Sequence, residues 1–106
     1  DARRFKEATG LPVISNGGYQ DRKEMEESLE LGKADMLAMA RPLLANVDLL
    51  KQFGDGKSSP DRPCSHCNKC LVRTANYPLG CYDLSRFKSQ DEMEQQIMEW
   101  SAKSEK

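Results

Sequence analysis

The chain has 106 residues, 38% apolar and 31% charged, enough for one small soluble domain with a thin apolar supply. Lys and Arg total 16 against 17 Asp and Glu, a formal net charge of −1, and the basic residues are scattered, which leaves no electrostatic footprint for nucleic acid. The apolar runs are only a few residues long, which excludes a membrane span, and the opening DARRFKEATG has neither an initiator Met nor an apolar signal core.

RRFKEATG reads as the end of a helix closed by Gly10. LPVISNGG follows: a short apolar run with β-branched Val13 and Ile14, ending in a turn at Asn16-Gly17-Gly18, hence a buried strand. In DRKEMEESLELGKA, Asp21 and Glu24 have capping-box spacing, Met25 and Leu29 lie four apart, and Gly32 supplies the stop, so this is a helix. ADMLAMARP gives a second apolar run, Met36 to Ala40, leading into Arg41 and a halting Pro42. Neither run alternates, as expected of parallel strands covered on both faces.

The rhythm is that of a βαβ unit, and the fold class is α/β. Two strands cannot bury both of their faces, so the expectation is a piece of a longer chain. LLANVDLLKQF predicts one or two short helices with Asn46 or Asp48 as N-cap. GDGKSSPDRP is the clearest linker. SQDEMEQQIMEWSAKSEK has Ser89 and Glu92 in capping-box spacing and an apolar stripe of Met93, Ile97 and Trp100, which predicts an amphipathic docking helix without chemistry. Three segments result: 1–56 as the βαβ portion, 57–87 as linker and cysteine-rich segment, and 88–106 as the C-terminal helix.

Two turns at carboxyl ends of the predicted strands are candidate ligand sites. Gly17 and Gly18 let a backbone approach a ligand, although an ordinary βα turn looks the same. Ala40-Arg41 leaves an apolar run with a fork of donors suited to phosphate, where the plain alternative is a snorkelling Arg. Together they strengthen each other, because adjacent parallel strands bring their ends about 5 Å apart. In (β/α)₈ barrels the loops after the last two strands, with a short extra helix, are the usual phosphate site, and LLAN after Arg41 is placed to be that helix.

CSHCNKC places Cys64, Cys67 and Cys70 three positions apart, and Cys81 follows after ten intervening residues. Structural zinc usually takes two separated ligand pairs, whereas repeated two-residue spacers in one loop are how ferredoxin-type loops present thiolates. The spacing favours an iron–sulfur cluster, with zinc, disulfides and free thiols left open. His66 is read as a loop residue that donates a hydrogen bond, with zinc ligation as its alternative. A thioredoxin-like pair is disfavoured, since RPC follows a polar linker rather than a strand. Neighbouring cysteines make strained disulfide partners, and all four lie in the C-terminal half, so a reducing, cytoplasmic setting is expected.

LPVISNGGYQ, LELGKADMLAMARPLLANVDLL and PCSHCNKC…GC, over residues 1 to about 87, resemble the C-terminal part of NADH:flavin oxidoreductases of the Old Yellow Enzyme family. The likeness is closer to the branch that includes 2,4-dienoyl-CoA reductase and trimethylamine dehydrogenase. The resemblance implies a (β/α)₈ TIM barrel holding FMN, with this chain supplying the last two strands. Gly17, Gly18, Ala40 and Arg41 would hold the FMN phosphate, and Cys64, Cys67, Cys70 and Cys81 a 4Fe-4S cluster. It implies NAD(P)H, a small-molecule acceptor and the remainder of the barrel as partners. The substrate-binding His or Asn pair and the proton-donating Tyr of the family come from earlier strands, so no catalytic residue is expected here, and no turnover from these residues alone.

The chain departs from the pattern at three points. CNKC has two residues between its cysteines where the dienoyl-CoA reductase pattern has three, which leaves the cluster type open. Val47 stands where many relatives have Pro. No GxGxxG fingerprint occurs in 82–106, so the barrel is expected to be the only catalytic domain of the parent enzyme. Two rival readings are a small zinc-binding interaction module and a non-flavin barrel enzyme that binds a phosphorylated substrate.

Overall fold

The computed structural model describes residues 1–104; the last two residues of the expected C-terminal helix lie outside the described residues. Helix α1 (Ala2–Thr9) ends on Gly10, whose φ of 68° is the left-handed conformation that closes a helix. Strand β1 (Ile14–Asn16) runs into the glycine turn. Helix α2 (Arg22–Glu30) starts at Asp21, whose carboxylate accepts from the Glu24 N–H at 3.2 Å. Strand β2 (Met36–Ala38) then returns parallel to β1, in the register Ile14↔Met36, Ser15↔Leu37, Asn16↔Ala38. The βαβ unit expected from the apolar runs is therefore present.

Two local expectations need correction. Pro42 does not halt the chain; it lies in the first turn of helix α3 (Arg41–Ala45), where its fixed φ is helical and its missing N–H costs nothing. Asp48 precedes helix α4 (Leu49–Gly54) without capping it, because its carboxylate is engaged by Gln52 Nε2 at 2.8 Å. Asn46 is not a cap either: its Nδ2 donates to the Arg62 carbonyl at 2.8 Å.

The cysteine segment contains a helix that the sequence reading did not foresee, α5 (Lys69–Arg73). A 3₁₀ turn (Leu84–Arg86) leads to α6 (Gln90–Ser104). Ser89 Oγ accepts from the Glu92 N–H at 3.2 Å, and Glu92 reaches back to the Lys88 N–H at 2.7 Å, so the expected cap forms with its return bond one residue earlier. No helix among the described residues is long and apolar enough to cross a membrane.

Among the described residues the buried apolar side chains include Ala34, Ala45, Leu49, Phe53 and Ile97, so most of the core lies under α3, α4 and α6 rather than on the sheet. Contrary to expectation, β1 and β2 are not covered on both faces: Ile14 and Met36, register partners, are 64% and 61% exposed. Two strands and their helices cannot close both sides of a sheet. The radius of gyration is 15.9 Å, against about 13 Å for a compact domain of this length.

Asp35 ties α1 to β1, accepting from Lys6 Nζ and from the Val13 N–H at 2.8 Å each. These bonds, that of Lys6 first, hold its carboxyl below the ordinary 3.8. The stabilisation is in force above the ordinary Asp value and is lost as pH falls through the lowered one. Hydrogen-exchange protection of the Val13 amide is expected to persist down to the ordinary Asp value and to collapse below it. Asp35→Asn should reduce that protection at neutral pH; an unchanged Asn variant would contradict the tie.

Candidate functional site

Asn16, Gly17, Gly18, Ala40, Arg41 and His66 line one cleft of about 130 Å³ at the carboxyl ends of β1 and β2. The parallel register brings the two turns together, because Asn16 and Ala38 pair and each turn leaves the sheet directly after them. Gly17 and Gly18 have φ of 123° and 79°, where a side chain is strained, and their Cα positions face open space. The turn is thus built for exposed backbone rather than for packing. Arg41 is half-buried, and its Nη1 donates to Asn68 Oδ1 at 2.5 Å, leaving other guanidinium donors for an anion. The cleft has room for a phosphate-sized anion.

Cys64, Cys67, Cys70 and Cys81 all line a second, tighter cavity of about 10 Å³, together with Arg41 and Asp83. Two ties link the two cysteine-bearing stretches, and a third bond shapes the turn of the second. Buried Asp83 accepts from Ser65 Oγ, in the first stretch, and from the N–H and Oγ of Ser85. Arg73 of α5 stands 5.2 Å from the ring centres of both Tyr77 and Tyr82. The Tyr82 hydroxyl donates to the Pro78 carbonyl at 2.5 Å, closing the turn that carries Cys81.

Burial pushes the Cys70 thiol above its ordinary value against an opposing Leu71 N–H, and the Cys64 and Cys81 sulfurs push the same way. The His66 N–H donates to Cys64 Sγ at 3.4 Å, so the hydrogen bond expected of His66 comes from its backbone. His66 and Asn68 hold φ of 60° and 64°, turning the loop between successive cysteines. Among the described residues, no group of three or more His, Cys, Asp or Glu side chains is arranged to hold a metal ion directly. The donor set fits an iron–sulfur cluster in its chemistry, four thiols lining one cavity, and the thiols must spread for anything larger than a water to sit between them.

The sequence reading found the residues at the centre of both cavities and missed their supports. Gln20 and Asp83 hold the cysteine loop from outside it; Gln20 ends the LPVISNGGYQ motif without having been read as a site residue, and Asp83 lies in no motif. Arg86 is a third: its guanidinium donates to the carbonyls of Ala45, Arg62 and Pro63 at 2.6–3.1 Å, pinning the linker beside the thiol loop.

Residues 1–59 match the NADH:flavin oxidoreductase / NADH oxidase family, more than half of the chain. The chain belongs to this family. Dimethylamine dehydrogenase of Hyphomicrobium is 34% identical over 67% of the chain and 10% of its own length. Cinnamate reductase of Clostridium sporogenes is 32% identical over 69% of the chain and 11% of its own length. 4,4'-Dithiodibutanoate disulfide reductase of Rhodococcus erythropolis is 37% identical over 66% of the chain and 17% of its own length. The chain therefore spans between a tenth and a fifth of these flavin-family relatives. No solved structure matches it.

Proposed function

We propose that this chain is the C-terminal part of an FMN-dependent NAD(P)H oxidoreductase on a (β/α)₈ barrel, acting in the cytoplasm on an activated alkene or similar small acceptor. In this reading residues 1–56 belong to the barrel, 57–87 carry the cluster ligands, and 88–106 are the segment of the C-terminal helix. The observation that carries this reading is the single cleft shared by the glycine turn after β1 and by Ala40-Arg41 after β2. In (β/α)₈ barrels the loops after the last two strands are the usual phosphate site, which supports this reading.

In this reading the backbone of Gly17 and Gly18 approaches the FMN phosphate, and the Arg41 guanidinium neutralises it. Cys64, Cys67, Cys70 and Cys81 ligate an iron–sulfur cluster of the 4Fe-4S type. When bound, FMN supplies hydride exchange between NAD(P)H and the acceptor, and the cluster carries electrons singly. The exposed register pair Ile14 and Met36 supports the presence of further barrel around these strands. The substrate-binding groups belong to that remainder, so this chain's share is to anchor the cofactors.

The test is the full-length protein purified without oxygen. Expected are yellow FMN released on denaturation, broad visible absorption, and iron with acid-labile sulfide. Replacing Cys70 by Ser should remove the iron and the cluster's broad absorption without abolishing flavin binding. A colourless protein with one zinc per chain would favour a zinc-binding interaction module. A protein that releases no flavin yet binds inorganic phosphate through Arg41 would favour a non-flavin barrel enzyme.

A further inference from the structure

The turn after β1 reaches beyond the anion cleft. Gln20, two residues past Gly18, meets the peptide of Cys64 at two points. Its Nε2 donates to the Cys64 carbonyl at 3.0 Å, and the Cys64 N–H donates to its Oε1 at 2.9 Å. The same Nε2 stands 3.4 Å from His66 Nε2, and His66 lines the cleft while its N–H meets Cys64 Sγ. From β2's side, Arg41 lines both cavities and holds Asn68. The loop so held contains two non-glycine residues at positive φ, a conformation that persists only where its surroundings fix it. Within the loop, the His66 N–H bond to Cys64 Sγ is a local support at one of these two positions. Besides Asp83, which holds Ser65, the fixing groups are Gln20, two residues past the glycine turn, and Arg41, in the wall of the anion cleft.

We propose that Gln20 is a positioning residue that clamps the Cys64–Cys70 loop onto the glycine turn, so that cluster retention and flavin-phosphate binding are coupled. This rests on the cofactor reading above. Linkage makes the coupling reciprocal: if the ordered loop favours the anion, the bound anion favours the ordered loop to the same factor. Supports one shell outside a metal's ligands commonly change its retention by about 10–100-fold.

The experiment uses the full-length protein with Gln20→Leu, close in shape but without polar groups, and Gln20→Glu. The Glu variant can accept from the Cys64 N–H but cannot donate to its carbonyl. Iron release to a chelator should speed up on the order of tenfold in the Leu variant, with the Glu variant between it and wild type. The FMN dissociation constant should rise in cluster-loaded Leu variant, and wild type should bind FMN more weakly after its cluster is removed. A cluster-free Leu variant should match cluster-free wild type, a result that general unfolding would not produce. Wild-type iron release in both variants overturns the clamp. Faster iron loss with unchanged flavin affinity overturns the coupling. A wild-type protein that never holds iron fails at the cofactor reading itself and takes the proposal with it.

Discussion

FMN affinity of the full-length enzyme is expected to fall on the order of ten- to hundredfold when Arg41 is replaced by Ala. Arg41 brings the guanidinium to the shared cleft. A hydrogen bond to a charged group contributes about 1.5–3 kcal/mol, which sets that range. Arg41→Lys should fall between the two, because it keeps the charge and loses the planar fork. The Ala variant also releases Asn68, so Asn68→Ala serves as the control, with the guanidinium kept and the bridge at 2.5 Å removed. Flavin binding weakened by the Arg41 change and much less by the Asn68 change would place the effect on the anion. Fluorescence titration of stripped enzyme measures both, and full flavin content in Arg41→Ala would refute the phosphate assignment.

A methyl group at position 80 should dislodge α6 from the turn that carries Cys81. A Cβ there would stand 2.9 Å from Ile97 Cγ1 and 3.3 Å from Cγ2. Ile97 is buried and β-branched, so neither carbon can swing away at χ1 without loss of packing. Overpacking of this kind costs about 1–3 kcal/mol. The backbone at Gly80 is not in the left-handed region, so the clash alone is at issue. Gly80→Ala is expected to reduce amide-exchange protection across residues 90–104 of the full-length protein. Paired with Ile97→Ala, its effect should be much smaller than alone, since the atoms it meets are gone. Additive effects would show that the turn and the helix accommodate the methyl independently.

The elements that were legible in the sequence are those whose signals are local. Gly10 and Gly32 stop helices, Asp21 starts one, and two short β-branched or apolar runs form the paired strands. The juxtaposition of Gly17-Gly18 with Arg41 was also legible, because parallel pairing of consecutive strands leaves little freedom in where their ends lie. Helix α5 was not: it is one turn long, and Leu71 and Val72 on it are exposed, so no apolar stripe announces it. Asn46 and Asp48 looked like caps, yet each found a different partner, one of them 16 residues away. The Gln20 clamp spans 44 positions and the Asp83 tie 18, and no pattern in either stretch encodes a partner at such a distance.

The open face around Ile14 and Met36 bears on how these residues behave outside a complete barrel. Each strand of a two-stranded sheet has one outer row of unsatisfied peptide groups, here flanked by bare aliphatic side chains. Such a rim is a template for another chain's backbone. Without neighbouring strands, the same pairing that assembles the cleft leaves this rim open to edge-to-edge pairing.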